Sequence, residues 1–361
     1  MKKFLAIMFA VALVASLFAG CAKAPAEAPQ EAPAAEDSAR LNLYTWEGMF
    51  PQELLDGFEQ ETGVIINYVN FDTDETMLTR LQAEKGGAYD LVIADDYIIE
   101  TVIAEGLAQK LDKEQIPNWS NINGVYQGQF YDPTDEYTVP FGAGVQTIVY
   151  NPNAISKVIT GYGDLWNDPA LVDSVGIIGN HRVINGMALK VLGESYNTED
   201  TAVIEAAGQK LLELAPSIRF IKDDSLQDDL LAGEIDAAVM YTSQVTMAKL
   251  ANPELKVVYP TEGIGFGIMA GFIPSQAPHA DAAHKFMEYI LRPENAVQYF
   301  EYLGYYCTTK AADDLISEDF REFLILPANF GGSMEMIQNV SADTEELHTK
   351  LWIEFKTACG Q

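Results

Sequence analysis

Three short stretches of the sequence set an aromatic ring among groups that could hold a charged ligand: Trp46-Glu47, Asp95-Asp96-Tyr97 and Tyr241-Thr242-Ser243. A tryptophan face can cover a methylene chain, an aromatic ring or a cationic head, and a neighbouring carboxylate can pair with an ammonium. Two of the stretches also have a structural alternative, with Tyr241 as a core ring and Asp95-Asp96 as the cap of the next helix. Catalysis has no comparable support. The sequence contains no G-x-S-x-G, P-loop, H-E-x-x-H or C-x-x-C, and it has only 4 histidines. His279 and His284, five apart, fit the solvated face of a surface helix better than a metal pair. The 53 acidic residues make any glycosidase pair arbitrary. Gly263, Gly265 and Gly267 fall short of G-x-G-x-x-G and no helix opens behind them, so close strand packing is the expectation. The chain is therefore expected to bind rather than to catalyse, with no cofactor and no metal.

Candidate residues act only where strands deliver them, and the ends of strands are where open sheets take ligands. Leu41, Leu43 and Thr45 alternate with polar or aromatic neighbours, which predicts a strand breaking at Gly48. A helix over 51–62, with Leu54, Leu55 and Phe58 on one face, stops at Gly63, and 64–71 is the next strand. Asp72-Thr73 is expected to cap a second helix, with Glu75 closing a capping box if Asp72 is the cap. Residues 89–94 form a buried strand that delivers Asp95-Asp96-Tyr97, and 98–105 is helical. Residues 119–133 show little periodicity. Two strands, 137–141 and 145–150, flank an expected bend at Gly142-Ala143-Gly144.

From about Asn151 the alternation of elements resumes. Strands are predicted at 175–178, 218–221, 237–241 and 256–259, and helices at 182–192, 200–214 and 226–232. A further helix is expected to start from a Ser243 cap. Residues 264–273 read as a return strand, followed by helices over 280–291, 294–302 and 345–355. Repeated strand and helix units make an α/β protein with two lobes.

Lys and Arg number 22 against 53 Asp and Glu, a net charge of −31 that repels nucleic acid and attracts cations. Met1-Lys2-Lys3 and the apolar run behind it read as an export signal over 1–20. Ala19-Gly20 before Cys21 resembles the bacterial lipoprotein cleavage site, which makes Cys21 the expected lipid-bearing residue; ordinary signal cleavage is the alternative. Residues 22–39, rich in Ala, Pro and Glu, read as an extended tether. Export permits a disulfide between Cys307 and Cys359, and the sequence leaves free or bonded open.

In order along the chain, LYTW at 43–46, FEQETGVII at 58–66, Glu75-Thr76-Met77, GAYDLV at 87–92, TVPF at 138–141, MALKVLG at 187–193, Leu291-Arg292-Pro293 and Leu303-Gly304-Tyr305 resemble the spermidine/putrescine-binding proteins of ABC importers. The resemblance implies a type II-like periplasmic-binding-protein fold with a hinge and an interlobe ligand cleft. Residues 41–144 would form the first part of one lobe, 145–268 the second lobe, and 269–361 the return to the first. It also implies capture of a polyamine or another small cationic nitrogen compound by a monomer. Delivery would be to a membrane permease powered by a separate ATPase. Trp46 and Tyr97 match aromatic contacts of that family, Tyr241 stands where a tryptophan holds the methylene chain, and Gln338 matches a late polar contact. Asp95 falls where a small hydroxyl residue is common. Asn180, Val183 and Met269 stand where the family places acids that hold amino groups. Glu47, Asp95 or Asp96 could compensate. The alternative keeps the scaffold and changes the cargo to an amino acid, a thiamine-like compound or a metal complex, and a secreted hydrolase is a third, remote reading.

Overall fold

Alternation at the start of the chain becomes strand β1 (Arg40–Thr45), in which Leu41 and Leu43 are fully buried. The computed structural model describes residues 40–166, 168–223, 225–324 and 333–361, so the expected signal, Cys21 and the 22–39 tether lie outside the described residues. Helix α1 (Gln52–Thr62) buries Leu54, Leu55 and Phe58, and it stops at Gly63, whose φ of 71° is the left-handed backbone that glycine adopts without strain. Then come β2 (Ile65–Asn70), α2 (Asp74–Ala83), β3 (Leu91–Asp95) and α3 (Asp96–Ala104). Strand β1 pairs in parallel with both β2 and β3.

A second series follows: β4 (Thr138–Tyr150), β5 (Val175–Ile177), α4 (His181–Val191), α5 (Thr201–Leu212), β6 (Ile218–Ile221), α6 (Leu226–Ala232), β7 (Ala237–Tyr241), α7 (Thr242–Ala251) and β8 (Lys256–Val258). The return comprises β9 (Ile264–Phe272), α8 (Ala280–Ile290), α9 (Pro293–Leu303), α10 (Glu318–Leu324), β10 (Met334–Met336) and α11 (Ala342–Ala358). The strands order as β2-β1-β3-β9-β4-β7-β5-β6, with β10 beside β9 and β8 beside β4. This is an α/β fold with helices between parallel strands and with β4 and β9 as the antiparallel strands, β9 against β3 and β4, and β4 against β7 and β8. No helix of the described residues is long and apolar enough to cross a membrane.

Strand β4 makes that junction. Residues 138–145 pair with β9 and residues 146–150 pair with β7. The bend expected at Gly142-Ala143-Gly144 is absent: one thirteen-residue strand runs through it, with a register shift between Pro140 and Gly142. These glycines leave room instead of making a turn. A Cβ at Gly142 would lie 3.2 Å from Met269 Cε, and one at Gly144 would lie 3.6 Å from Tyr305 Cε1. Apolar packing divides on either side of the junction. Leu41, Leu43, Phe58, Phe286 and Tyr299 pack together, whereas Ile148, Ile177, Met187, Leu211 and Val239 form a separate cluster.

Several local expectations are corrected. Thr73, not Asp72, caps α2, its hydroxyl accepting from Thr76 N at 3.2 Å, so no capping box to Glu75 forms. Helix α7 starts at Thr242 and has no side-chain cap; Ser243 lies inside its first turn. His284 is buried, not solvated: its Nε2 accepts from Asp112 N at 2.9 Å. His279 lies 3.0 Å from the buried Asp90 carboxylate. The stretch without periodicity is fastened by side chains instead. The Asp132 carboxylate accepts from the backbone of Glu136, Tyr137 and Thr138 at 2.8 to 3.0 Å. Cys307 and Cys359 are both free thiols. The segment expected to return whole to the first lobe divides, because α11 sends Trp352 and Phe355 into the cluster around α4 and α5.

Candidate functional site

Strand β3 is buried from Leu91 to Ala94 and pairs with β9, which sets the half-buried Asp95 opposite Met269 at the strand's carboxyl end. Asp95 occupies the cap position of α3 but makes no side-chain cap bond; its carboxyl group hydrogen-bonds that of Asp74 and lines the space in front of the sheet. Asp96 turns inward and accepts from Ile268 N at 2.7 Å, tying the α3 start to β9. Asp74, buried at the start of α2, accepts from Asp95 N and from the Tyr97 hydroxyl, both at 3.3 Å. The Tyr97 hydroxyl also donates to Glu75 at 3.0 Å. Four carboxyl groups thus gather with no lysine or arginine among the described residues paired to any of them. Burial raises Asp74 to about 6, even against the hydrogen bonds it accepts. Burial likewise raises Asp96 to about 7, and the bonds from Ile268 and Tyr97 offset only part of this. Asp95 is pushed well above the usual carboxylate range, first by burial and then by the charges of Asp74 and Asp96.

Opposite this acidic wall, Tyr241 ends β7 and pairs with Gln146 of β4. Gln146 is buried, and its Oε1 has no hydrogen-bond partner. An orphaned acceptor in a buried wall is a place for a donor from a ligand or a water. Asn180 caps α4, its Oδ1 accepting from Val183 N at 3.1 Å, and its side chain also hydrogen-bonds the Tyr241 hydroxyl. The first turn of α4 then presents His181 and Arg182. Arg182 Nη1 lies 3.3 Å from Glu345 of α11, and Nη2 donates to Gln338 O at 3.1 Å. His181 also meets Glu345, and this contact is the main cause that holds the Glu345 carboxyl below its usual range, with Arg182 adding to it.

These walls enclose a cavity of about 620 Å³, a size suited to a small organic solute. Of the residues singled out from sequence, Asp95, Asp96, Tyr97, Asn180, Tyr241, Met269 and Gln338 line it. Trp46 and Glu47 do not. The Trp46 ring packs against Phe71 at 4.9 Å, its carbonyl accepts from the Tyr68 hydroxyl at 2.7 Å, and Glu47 is exposed. Sequence reasoning gave no role to Gln146, Arg182, Tyr305 or Glu345, all of which line the cavity. Gln146 carried one signal, a polar residue inside an otherwise apolar strand; the others become legible only when the late chain is placed against α4.

Residues 53–323 match the family model for the bacterial extracellular solute-binding protein. The spermidine/putrescine-binding periplasmic protein of Salmonella typhimurium is 34% identical over 286 residues, covering 79% of this chain and 82% of that one. The chain belongs to the bacterial extracellular solute-binding proteins. Within them it is akin to the spermidine/putrescine-binding periplasmic proteins. The putrescine/agmatine-binding protein of Pseudomonas aeruginosa is 26% identical, covering 88% of this chain and 92% of its own. Among solved structures, the spermidine/putrescine ABC transporter substrate-binding protein of Streptococcus pneumoniae superposes with a TM-score of 0.82 at 27% identity, over 89% of this chain and all of that one. This solute-binding protein is therefore a transport component working outside the cytoplasm, not an enzyme, and its α/β architecture is that of the type II periplasmic-binding fold.

Proposed function

We propose that this solute-binding protein captures a small organic amine of the polyamine kind and hands it to a membrane permease driven by a separate ATPase. The observation that carries the reading is the set of close carboxyl groups of Asp74, Asp95 and Asp96, with no lysine or arginine paired to them among the described residues, behind a cavity ringed by Tyr97, Tyr241 and Tyr305. An ammonium placed against Asp95 would relieve their mutual repulsion, and the tyrosine faces would cover its methylenes. The names of the relatives, all binders of spermidine, putrescine or agmatine, agree with this chemistry.

Capture would proceed by closure of two lobes, 41–144 with part of the return and 145–268 with α11, about the crossings at β4 and β9. Trp46 and Glu47 stand at the carboxyl end of β1, next to β3, and would join the wall on closure. Cys21 would carry the lipid and 22–39 the tether, so that the monomer works near the membrane it serves. Native mass spectrometry of the gently purified mature protein, followed by calorimetry with putrescine, spermidine and agmatine, tests the reading. Absence of heat with every amine would reject it. A non-polyamine cargo is favoured by one observation: Asn180, Val183 and Met269 line the cavity and carry no charge.

A further inference from the structure

Resting on that amine reading, we infer that the cavity is built for an asymmetric ligand: one ammonium at the Asp95 end and a hydroxyl, amide or carboxylate at the α4 end. The two ends of the cavity differ in sign. At the β3 end, Asp95, Asp96 and Glu75 line the wall with no cation paired to them among the described residues. At the α4 end the carboxylate present, Glu345, is already shared by Arg182 and His181. The amino end of α4 adds the partial positive charge of a helix start. Asn180, Val183 and Met269, also in the lining, supply no carboxylate of their own.

A linear diamine would set its second ammonium beside a guanidinium and a helix start, where the lining carboxylate, Glu345, is already engaged. A buried ammonium in that position loses its water without compensation. A hydroxyl or carboxylate there instead accepts from the Asn180 amide or from Arg182, whose Nε is buried and has no partner. Between the two ends, Gln146 offers its unpartnered Oε1, buried in the same wall, to a donor on the ligand. This second, independent acceptor, set beside Tyr241, distinguishes the site from a mere acidic patch. Asymmetry is thus a property of the side chains that remain once Arg182 and Glu345 have satisfied each other.

Calorimetric titration of the soluble mature protein with four chain-matched probes tests the inference: putrescine, 4-aminobutan-1-ol, 4-aminobutanoate and butylamine. The expected result is that the aminoalcohol or the amino acid binds at least tenfold more tightly than putrescine, with butylamine intermediate. Putrescine as the tightest of the four would overturn the inference and leave the amine reading standing. Silence from all four would overturn both. Asn180→Asp supplies a second test, because aspartate caps a helix as well as asparagine and the position is exposed enough to accept it. This variant should raise putrescine affinity at least fivefold and lower that for 4-aminobutanoate. An unchanged ratio of the two affinities would refute the proposed polarity of the cavity.

Discussion

Asp95→Asn separates a binding carboxylate from a structural one, because the two roles predict opposite signs. In the ligand-free protein Asp95 is half-buried beside Asp74 and Asp96, raised by burial and then by the charges of both. Removing its charge therefore takes repulsion out of the folded state. The expected gain is a rise of roughly 1–3 °C in the unbound melting temperature. In the complex the same change removes the anion that meets the ammonium. Truncating one member of a buried charge pair costs about 2–5 kcal/mol. Asp96 and Glu75 remain in the wall, which places this case at the lower end, about 2–3 kcal/mol, or roughly 30- to 150-fold in Kd. Calorimetry at neutral pH with the tightest amine found gives the affinity, and differential scanning fluorimetry without ligand gives the stability. A variant that melts earlier than the parent, or that binds within about threefold of it, would refute the assignment of Asp95 as an unneutralised binding charge.

The same groups fix a pH dependence: folded Asp74 and Asp96 are raised to about 6 and about 7, so the stability they contribute is present at low pH and is lost as pH rises through those values. The ligand-free protein should accordingly gain from these groups between about pH 8 and about pH 5, while amine affinity weakens over the same interval and binding releases protons; heats that do not depend on the buffer's ionisation enthalpy would count against this. Gln146→Leu should leave the unbound melting temperature level or higher, since its Oε1 is already without a partner, and should lower amine affinity by roughly three- to tenfold. Trp46→Ala should lower affinity by less than about tenfold, reporting whether the ring joins the wall on closure; an unchanged titration would keep it outside the site. Gly186→Ala should destabilise by about 1–3 kcal/mol despite better helix propensity, because the new Cβ would meet the Tyr196 ring at 2.0 Å; an unchanged melting temperature would show that the ring moves aside freely.

Strands such as Ala237–Tyr241 were legible because their burial is continuous over several residues, so that the sequence pattern and the structure coincide. Glycine was misread in β4 for a physical reason. The signal for a turn and the signal for a close approach are the same residue, and only the Met269 and Tyr305 side chains overhead distinguish them. His284 looked solvated because helical spacing cannot reveal that Asp112 N donates to it from another part of the chain. The acidic wall of the cavity was visible as Asp95-Asp96-Tyr97, adjacent in sequence at a strand end. Its basic end was not, because Arg182 and Glu345 lie far apart in the chain and acquire meaning only when α11 packs on α4. Trp46 illustrates the limit from the other side, since its type and position were suggestive while its ring is occupied with Phe71.

The contribution of residues 337–340 and Glu345 to the cavity bears on the order in which this protein becomes competent. Every other wall is encoded earlier, from Glu75 to Tyr305, yet the Arg182 end is closed by a partner from α11, and Asn339 reaches back to the Tyr97 carbonyl at 2.8 Å and to Glu100 at 2.7 Å. A chain that emerges amino end first on the far side of a membrane would therefore hold an unfinished site until its late segment docked. A molecule in which that segment had not docked would lack the wall made by residues 337–340 and Glu345.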